Sequence, residues 1–127
     1  MSMPFQYILA NLIAKAEHAV GSLFLDPTGE TIDLACSELS PFQMKVLGAY
    51  LGIHLRQMER VLDAEGLGAP RCLTLHHQRL ILHVVPLADG YALALVQRPP
   101  ANLGRAQRLL ENAADVMERE VLPRRAL

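Results

Sequence analysis

AVGSLFLDPTGETIDLA, residues 19–35, decides the fold class, because it holds two apolar strands joined by a tight turn. Asp26-Pro27-Thr28-Gly29 has aspartate, proline and glycine at the first, second and fourth positions that a type I turn prefers. Alternation along the strands sends Leu23, Leu25, Ile32 and Leu34 to one sheet face, and Val20 and Phe24 to the other. Apolar residues on both faces predict a sheet that is covered on both sides.

Asp26 has a second interpretation, because it precedes Thr-Gly at the end of an apolar strand, as the phosphorylated aspartate of P-type ATPases does. Those enzymes have lysine where this chain has Pro27, and threonine where it has Glu30. The sequence also lacks a G-x-x-x-x-G-K-[ST] loop and the length for a nucleotide-binding domain. We therefore predict that Asp26 is a turn residue and not a nucleophile.

The composition predicts one folded domain over residues 1–127, with 51% hydrophobic and 20% charged residues. A net charge of -1 gives no electrostatic reason to bind nucleic acid. Cys36 and Cys72 show no metal or disulfide spacing, so we expect reduced thiols in a cytoplasmic protein and no cofactor. The N-terminal stretch is interrupted by polar residues, which argues against a signal peptide or membrane insertion; an amphipathic anchor is the open alternative.

Periodicity predicts the order helix, two strands, helix, three strands, helix. The middle helix begins at Ser40-Pro41, a cap followed by proline, and ends near Glu65. Three strands fill residues 71–98, with turns near His77-Gln78 and at the Asp-Gly pair that ends at residue 90. Asn102 caps the last helix, which Pro123 ends.

The middle helix has two apolar faces. One stripe contains Met44, Leu47, Leu51, Leu55, Met58 and Leu62. The opposite side contains Phe42, Val46, Ala49 and Ile53, with Tyr50 beside them. One face can cover the sheet, and the other needs a second cover that another subunit could supply. Gly48 and Gly52 would let a second helix come close, although they could equally lie under the sheet or near solvent.

The element order, residues 19–35 and the stretch LHVVPLADGYALALVQRPPANLGRAQRLLENAADVME (82–118) together resemble the roadblock/dynein light chain family. The resemblance rests on the opening hairpin, the closing hairpin and the Asn102-Leu103-Gly104 junction into the last helix. It implies an α/β architecture of the α+β sandwich type, with a five-stranded antiparallel sheet. The middle helix would cover one face of this sheet, and the terminal helices would cover the other.

The resemblance also implies a homodimer in which third strands pair edge to edge and middle helices pack together. We accordingly assign these residues to the dimer interface: Gly48, Leu51, Gly52, Leu55, Cys72, Thr74 and His76. It further implies a non-enzymatic bacterial regulator or adaptor that acts on a Ras-like small GTPase, with nucleotide and magnesium held by the partner. The polar residues that we assign to that partner are Lys45, Arg56, Glu59, Arg60 and Asp63.

Two alternatives belong to other functional classes. A tight turn at His77-Gln78 would place Cys72 opposite His83, where a thiolate and an imidazole could form a nucleophile–base pair or bind a metal. A small-ligand sensor of the PAS or GAF type is also a helix-covered antiparallel sheet, but it needs a cavity. The many Leu, Ile and Val residues and the absence of Trp predict a filled core instead.

Overall fold

The computed structural model describes residues 4–120. Within this range the chain forms three α-helices and five strands in the predicted order. The elements are α1 (Pro4–Lys15), β1 (Ala19–Leu25), β2 (Thr31–Cys36), α2 (Pro41–Ala64), β3 (Leu73–His76), β4 (Ile81–Pro86), β5 (Ala92–Gln97) and α3 (Leu103–Glu120). The predicted end of α3 at Pro123 lies outside the described residues.

The strands form one antiparallel sheet in the order β2-β1-β5-β4-β3, so that β2 and β3 are its edges. Helix α2 covers one face, where it packs on Leu23, Leu25 and Leu82. Helices α1 and α3 cover the other face, around Phe24, Leu93 and Leu95. Each fully buried leucine contributes about 1.5–3 kcal/mol, so both faces contribute to the stability of the sheet. The architecture is the predicted α+β sandwich.

Two irregularities in the sheet change the predicted faces. The β1–β5 register shifts between Ala19 and Gly21, and Val20 consequently packs on the α2 side instead of beside Phe24. The β1–β2 register shifts at Leu25, which leaves Ile32 without a ladder partner and exposed. A bulge of this kind adds a residue to one strand, and the simple alternation used for the prediction does not include it.

The predicted caps are present at the starts of α2 and α3. Ser40 Oγ accepts a hydrogen bond from Gln43 N (3.1 Å), and Gln43 Oε1 accepts one from Ser40 N (3.0 Å), which completes a capping box. Asn102 Oδ1 accepts a hydrogen bond from Arg105 N at 3.0 Å. These short-range hydrogen bonds fix where each helix begins, and with it the direction in which each helix crosses the sheet.

Candidate functional site

The Asp26 carboxylate is committed to the β1–β2 turn. Its Oδ1 accepts hydrogen bonds from Thr28 N (2.9 Å), Thr28 Oγ1 (2.7 Å) and Glu30 N (3.0 Å). Gly29 N donates to Asp26 O at 3.0 Å, as the predicted turn requires. The Thr28 hydroxyl and then the backbone donors hold the pKa of Asp26 below its usual value. The carboxylate is thus a turn acceptor, as the sequence predicts.

The outer face of α2, defined here as Phe42, Val46, Ala49, Tyr50 and Ile53, is exposed as the two-faced pattern predicts. Phe42 is 74% exposed and Ile53 is 59% exposed, which is unusual for large apolar side chains. The apolar groove between α2 and the β3–β4 hairpin adjoins this face and is lined by Val46, Tyr50, Leu80 and Leu82 among others. Together they form a continuous apolar surface, which is typical of an interaction site.

Four of the residues assigned to the dimer interface lie inside the chain. Leu51 and Leu55 are 0% exposed and pack on the sheet. A Cβ on Gly48 would meet Leu25 Cδ2 at 3.0 Å, and one on Gly52 would meet Gly29 Cα at 3.1 Å. The glycines therefore admit the chain's own sheet and its own β1–β2 turn, not a second helix. This corrects the assignment, because a partner helix would meet the outer face of α2.

The remaining three interface candidates lie on or just before the edge strand β3. His77 N donates to Leu80 O at 2.8 Å, and hydrogen-bonded and non-bonded pairs alternate along an antiparallel ladder. The N–H and C=O groups of Thr74 and His76 therefore point away from β4 and toward the open edge. Cys72 is partly buried and precedes the strand. This edge therefore presents backbone hydrogen-bonding groups with which a further strand could pair.

The opposite edge, β2, differs from β3 in one side chain. Ser37 N donates to Val20 O at 3.1 Å, so alternation turns Leu34 N away from β1. Asp33 Oδ1 accepts a hydrogen bond from that N–H at 2.8 Å. A charged side chain that occupies an edge donor blocks the pairing of a further strand. The β2 edge is therefore protected against pairing with a further strand. The signal in the sequence is Asp33 alone, and sequence reasoning assigned it no role.

The β3–β4 turn is one residue further along the chain than predicted. Gln78 and Arg79 form it, with His77 and Leu80 as the closing pair, and Thr74 rather than Cys72 consequently faces His83. Cys72 Sγ lies 3.9 Å from Thr74 Oγ1. Burial raises the pKa of the Cys72 thiol, which keeps it protonated, whereas a nucleophile needs a lowered pKa. The arrangement does not favour the proposed nucleophile–base pair.

His83 belongs to a buried chain of hydrogen bonds, here called the His83 relay. His83 is 0% exposed, and its Nδ1 and Nε2 lie 2.9 Å from Thr74 Oγ1 and 2.7 Å from Gln97 Oε1. Gln107 Nε2 donates to Thr74 Oγ1 at 3.1 Å, and Gln97 Nε2 donates to Glu17 O at 2.8 Å. The relay thus connects α3, β3, β4 and β5 with the turn after α1. Burial lowers the pKa of His83, so its ring is neutral.

The five partner-binding candidates fall into two groups. Arg56, Glu59, Arg60 and Asp63 line one open groove with Gly68 and Ala69 at the C-terminal half of α2. Lys45 does not line this groove, since it lies eleven residues before Arg56, or about 16 Å along the helix axis. The structure therefore brings four of the five candidates together.

Arg56 has a structural role that sequence reasoning missed. Its Nε and Nη2 donate to Pro27 O at 3.3 and 3.2 Å, and Nη2 also donates to Gly90 O. Its Nη1 donates to Glu59 Oε1 at 2.7 Å. The guanidinium thus joins α2 to the β1–β2 and β4–β5 turns. Arg60 and Asp63, on the same groove, are exposed and remain available to a partner.

Two further classes of site can be checked in the part of the chain that the structure describes. Residues 4–120 contain no group of three or more His, Cys, Asp or Glu side chains placed to hold a metal ion. In the same range, every helix is too short or too polar to cross a membrane.

Comparison with solved structures gives the fold a family context. A roadblock/LC7 domain from Streptomyces avermitilis superimposes with a TM-score of 0.82 at 14% identity, over 91% of this chain and 96% of that chain. The chain has the roadblock fold. MglB from Myxococcus xanthus gives a TM-score of 0.78 at 16% identity, over 92% of this chain and 96% of that chain. A structure of MglB with a tetrameric arrangement gives a TM-score of 0.81 at 17% identity, over 94% of this chain and 90% of that chain.

These structures support the roadblock resemblance stated from residues 19–35 and 82–118. Identities of 14–17% carry a likeness of fold, while the chemistry of each protein depends on its own side chains. No protein-family model and no curated protein sequence matches this chain.

Proposed function

We propose that this roadblock chain is a non-enzymatic, cytoplasmic regulatory module that forms a homodimer and binds a Ras-like small GTPase. One observation carries the dimer: the open edge of β3 lies beside the exposed outer face of α2. Strand pairing would satisfy the outward backbone groups of Thr74 and His76, while helix packing would bury Phe42 and Ile53. The tetrameric arrangement of one MglB structure shows that copies of a protein with this fold associate.

The protected β2 edge favours a closed dimer through β3. Asp33 occupies an outward N–H on β2, whereas β3 has its outward groups free for pairing along the strand. A two-fold contact uses the same surface on both copies and therefore ends at two subunits. The resulting sheet would have ten strands.

The dimer is tested by placing a charge on the outer face of α2. Ile53→Asp should shift the protein from dimer to monomer, because burying an unpaired carboxylate in an interface is strongly unfavourable. Tyr7→Asp is the matched control, since Tyr7 is 73% exposed on α1, on the opposite side of the sheet. Light scattering at micromolar concentration measures the mass. A wild-type monomer, or equal effects of the two substitutions, would refute this arrangement.

The GTPase partner is suggested by the family resemblance and by the polar groove at the C-terminal half of α2. The protein can be immobilised and exposed to extract of its own cells, and captured small GTPases identified by mass spectrometry. Arg60→Ala with Asp63→Ala should reduce capture at least tenfold, and Arg105→Ala on α3 should not. Capture of a small GTPase that these groove substitutions leave unchanged would remove the groove from the proposal. An extract that yields no small GTPase would remove the partner itself.

The ligand-sensor alternative finds less support in the packing. The centre of the sheet is filled on both faces by side chains that are 0% exposed, including Phe24, Leu93, Leu51 and Met44. A sensor of the PAS or GAF type needs a cavity of several hundred cubic ångströms beneath its sheet. The packed core therefore favours a role in protein association.

A further inference from the structure

The direction of each hydrogen bond in the His83 relay can be assigned from its two ends. Gln97 Nε2 donates to Glu17 O, so Gln97 Oε1 faces His83 and can only accept. His83 Nε2 must therefore carry a hydrogen. Gln107 Nε2 donates to Thr74 Oγ1, which leaves the Thr74 hydroxyl hydrogen to point at His83 Nδ1. Each of these four hydrogen bonds has one donor and one acceptor when His83 is the neutral Nε2–H tautomer.

Protonation of His83 would break this pattern at Thr74. The new Nδ1–H would face the Thr74 hydroxyl hydrogen, which would have to rotate away. Cys72 Sγ, a weak acceptor at 3.9 Å, is the atom left for that hydrogen. Because Gln107 already donates to Thr74 Oγ1, the hydroxyl oxygen would then accept from both Gln107 and His83, and its own hydrogen would have only Cys72 Sγ as an acceptor. The proton therefore replaces a good acceptor of the Thr74 hydrogen with a weak one, and it places a charge on a ring that is 0% exposed.

The charged groups around His83 would not stabilise a positive charge on its ring. On the β3 side, His76 acts electrostatically to lower the pKa of His83, and the thiol of Cys72 is protonated. On α3, Glu111 is paired with Arg71 at 3.5 Å. At the turn after α1, Glu17 offers His83 only the backbone carbonyl that binds Gln97, while its carboxylate accepts from Asn102 N.

We propose that the His83 relay is an acid-sensitive latch on edge strand β3: a protonated His83 ring is disfavoured in its buried position between Thr74 and Gln97 and is stabilised where water reaches it, so acid favours the opening of β3 from β4. Strand β3 has four residues and one neighbouring strand, so few ladder hydrogen bonds have to break for it to open. That the latch controls pairing of a second copy rests on the homodimer proposed above; the opening of β3 itself does not.

Hydrogen exchange measures this opening directly. The N–H groups of Leu73, Leu75 and His77 point toward β4, so their exchange requires β3 to open. In the opened strand the His83 ring meets water and titrates near its ordinary value. The opening constant should therefore rise about tenfold between pH 7.5 and 5.5, after correction for intrinsic exchange. Amides shared between β1 and β5 should show no such change over the same range.

Two substitutions separate the latch from other histidines. His83→Gln should abolish the pH dependence of β3 exchange, while His77→Gln, at an exposed imidazole on the same hairpin, should leave it intact. Should His83→Gln fail to fold, the wild-type comparison still decides, because an equal change in the β1–β5 amides or no change in β3 overturns the latch. Light scattering on the same samples reports the dimer independently. An acid-sensitive β3 in a monomer would refute only the dimer.

Discussion

Arg56 shows how one side chain can organise several segments. Its guanidinium donates to carbonyls in two turns that are distant in sequence, at Pro27 and Gly90, and pairs with Glu59 one turn further along α2. Arginine suits this task because its planar group presents five donors in a fixed geometry. Arg56 therefore holds α2 against two turns beside the groove that contains Arg60 and Asp63. Its charge is paired with Glu59, so its contribution is structural.

Replacing Arg56 tests that role. Arg56→Met keeps the length of the side chain but leaves the Pro27 and Gly90 carbonyls without their donor. We expect the free energy of unfolding to fall by about 1–2 kcal/mol, since the group is charged but partly exposed. Arg60→Met, at an exposed position of the same helix, should change it by less than about 0.5 kcal/mol. Urea denaturation measures the free energy of unfolding of both variants. Equal decreases would contradict the structural role of Arg56.

Local residue patterns predicted local structure well. The Asp-Pro-Thr-Gly turn and the Ser40 and Asn102 caps depend on residues within four positions of one another, and all three are present. The role of Arg56 could not be predicted, because its two acceptors lie about thirty residues away on turns whose relative position only the folded sheet defines.

At the scale of whole elements, the two edges of the sheet differ more than their lengths suggest. Strand β2 has six residues and β3 has four, so β2 would be the better template for a further strand. Its outward Leu34 N–H is nevertheless occupied by Asp33. Natural sheets commonly protect an edge with a charged residue, and here the protection leaves β3 as the available edge.

Removing that protection has a predicted outcome. Asp33→Val frees the Leu34 N–H, removes a charge and introduces a residue that favours strands. The variant should form species larger than the wild type, increasingly so at higher concentration. Asp115→Val, at an exposed position on α3, is the control and should keep the wild-type mass. Light scattering across a concentration series measures this, and an Asp33→Val profile identical to that of the wild type would show that the edge needs no protection.

The sequence predicted the elements and their order but not all of their orientations. Periodicity identified both apolar faces of α2, yet it could not tell which side Gly48 and Gly52 occupy, because small residues suit either a sheet or a second helix. The bulge that moves Val20, and the one-residue displacement of the β3–β4 turn, are likewise set by partners across the sheet. Such choices depend on tertiary contacts that no local pattern contains.

For the molecule as a whole, two groups predict how stability depends on pH. The pKa of His83 is lowered by burial, so the unfolded chain binds a proton that the folded chain refuses. That contribution is complete above the ordinary histidine value of about 6.5 and declines below it. The pKa of Asp26 is lowered by its turn hydrogen bonds, so its contribution is complete above the ordinary aspartate value and is lost at more acidic pH.

We therefore expect the urea midpoint to fall in two stages, first between pH 7 and 5 and then below about pH 4. In the first stage, the free energy of unfolding should fall by no more than about 1.4 kcal/mol per pH unit, which is the limit for one proton. His83→Gln should remove the first stage and leave the second, and Asp26→Asn should do the reverse. A wild-type midpoint that is constant from pH 7 to 5 would contradict the assignment to His83.

The exposed outer face of α2 has a consequence for the protein in its cell. The same helix completes the chain's own core with one side and presents Phe42, Val46 and Ile53 to water with the other. A single folded copy therefore displays the kind of surface that chaperones and proteases recognise. In the homodimer proposed above, paired copies would hide this face and single copies would not. We expect the steady-state abundance of the protein to rise more steeply than its rate of synthesis, because pairing increases with concentration.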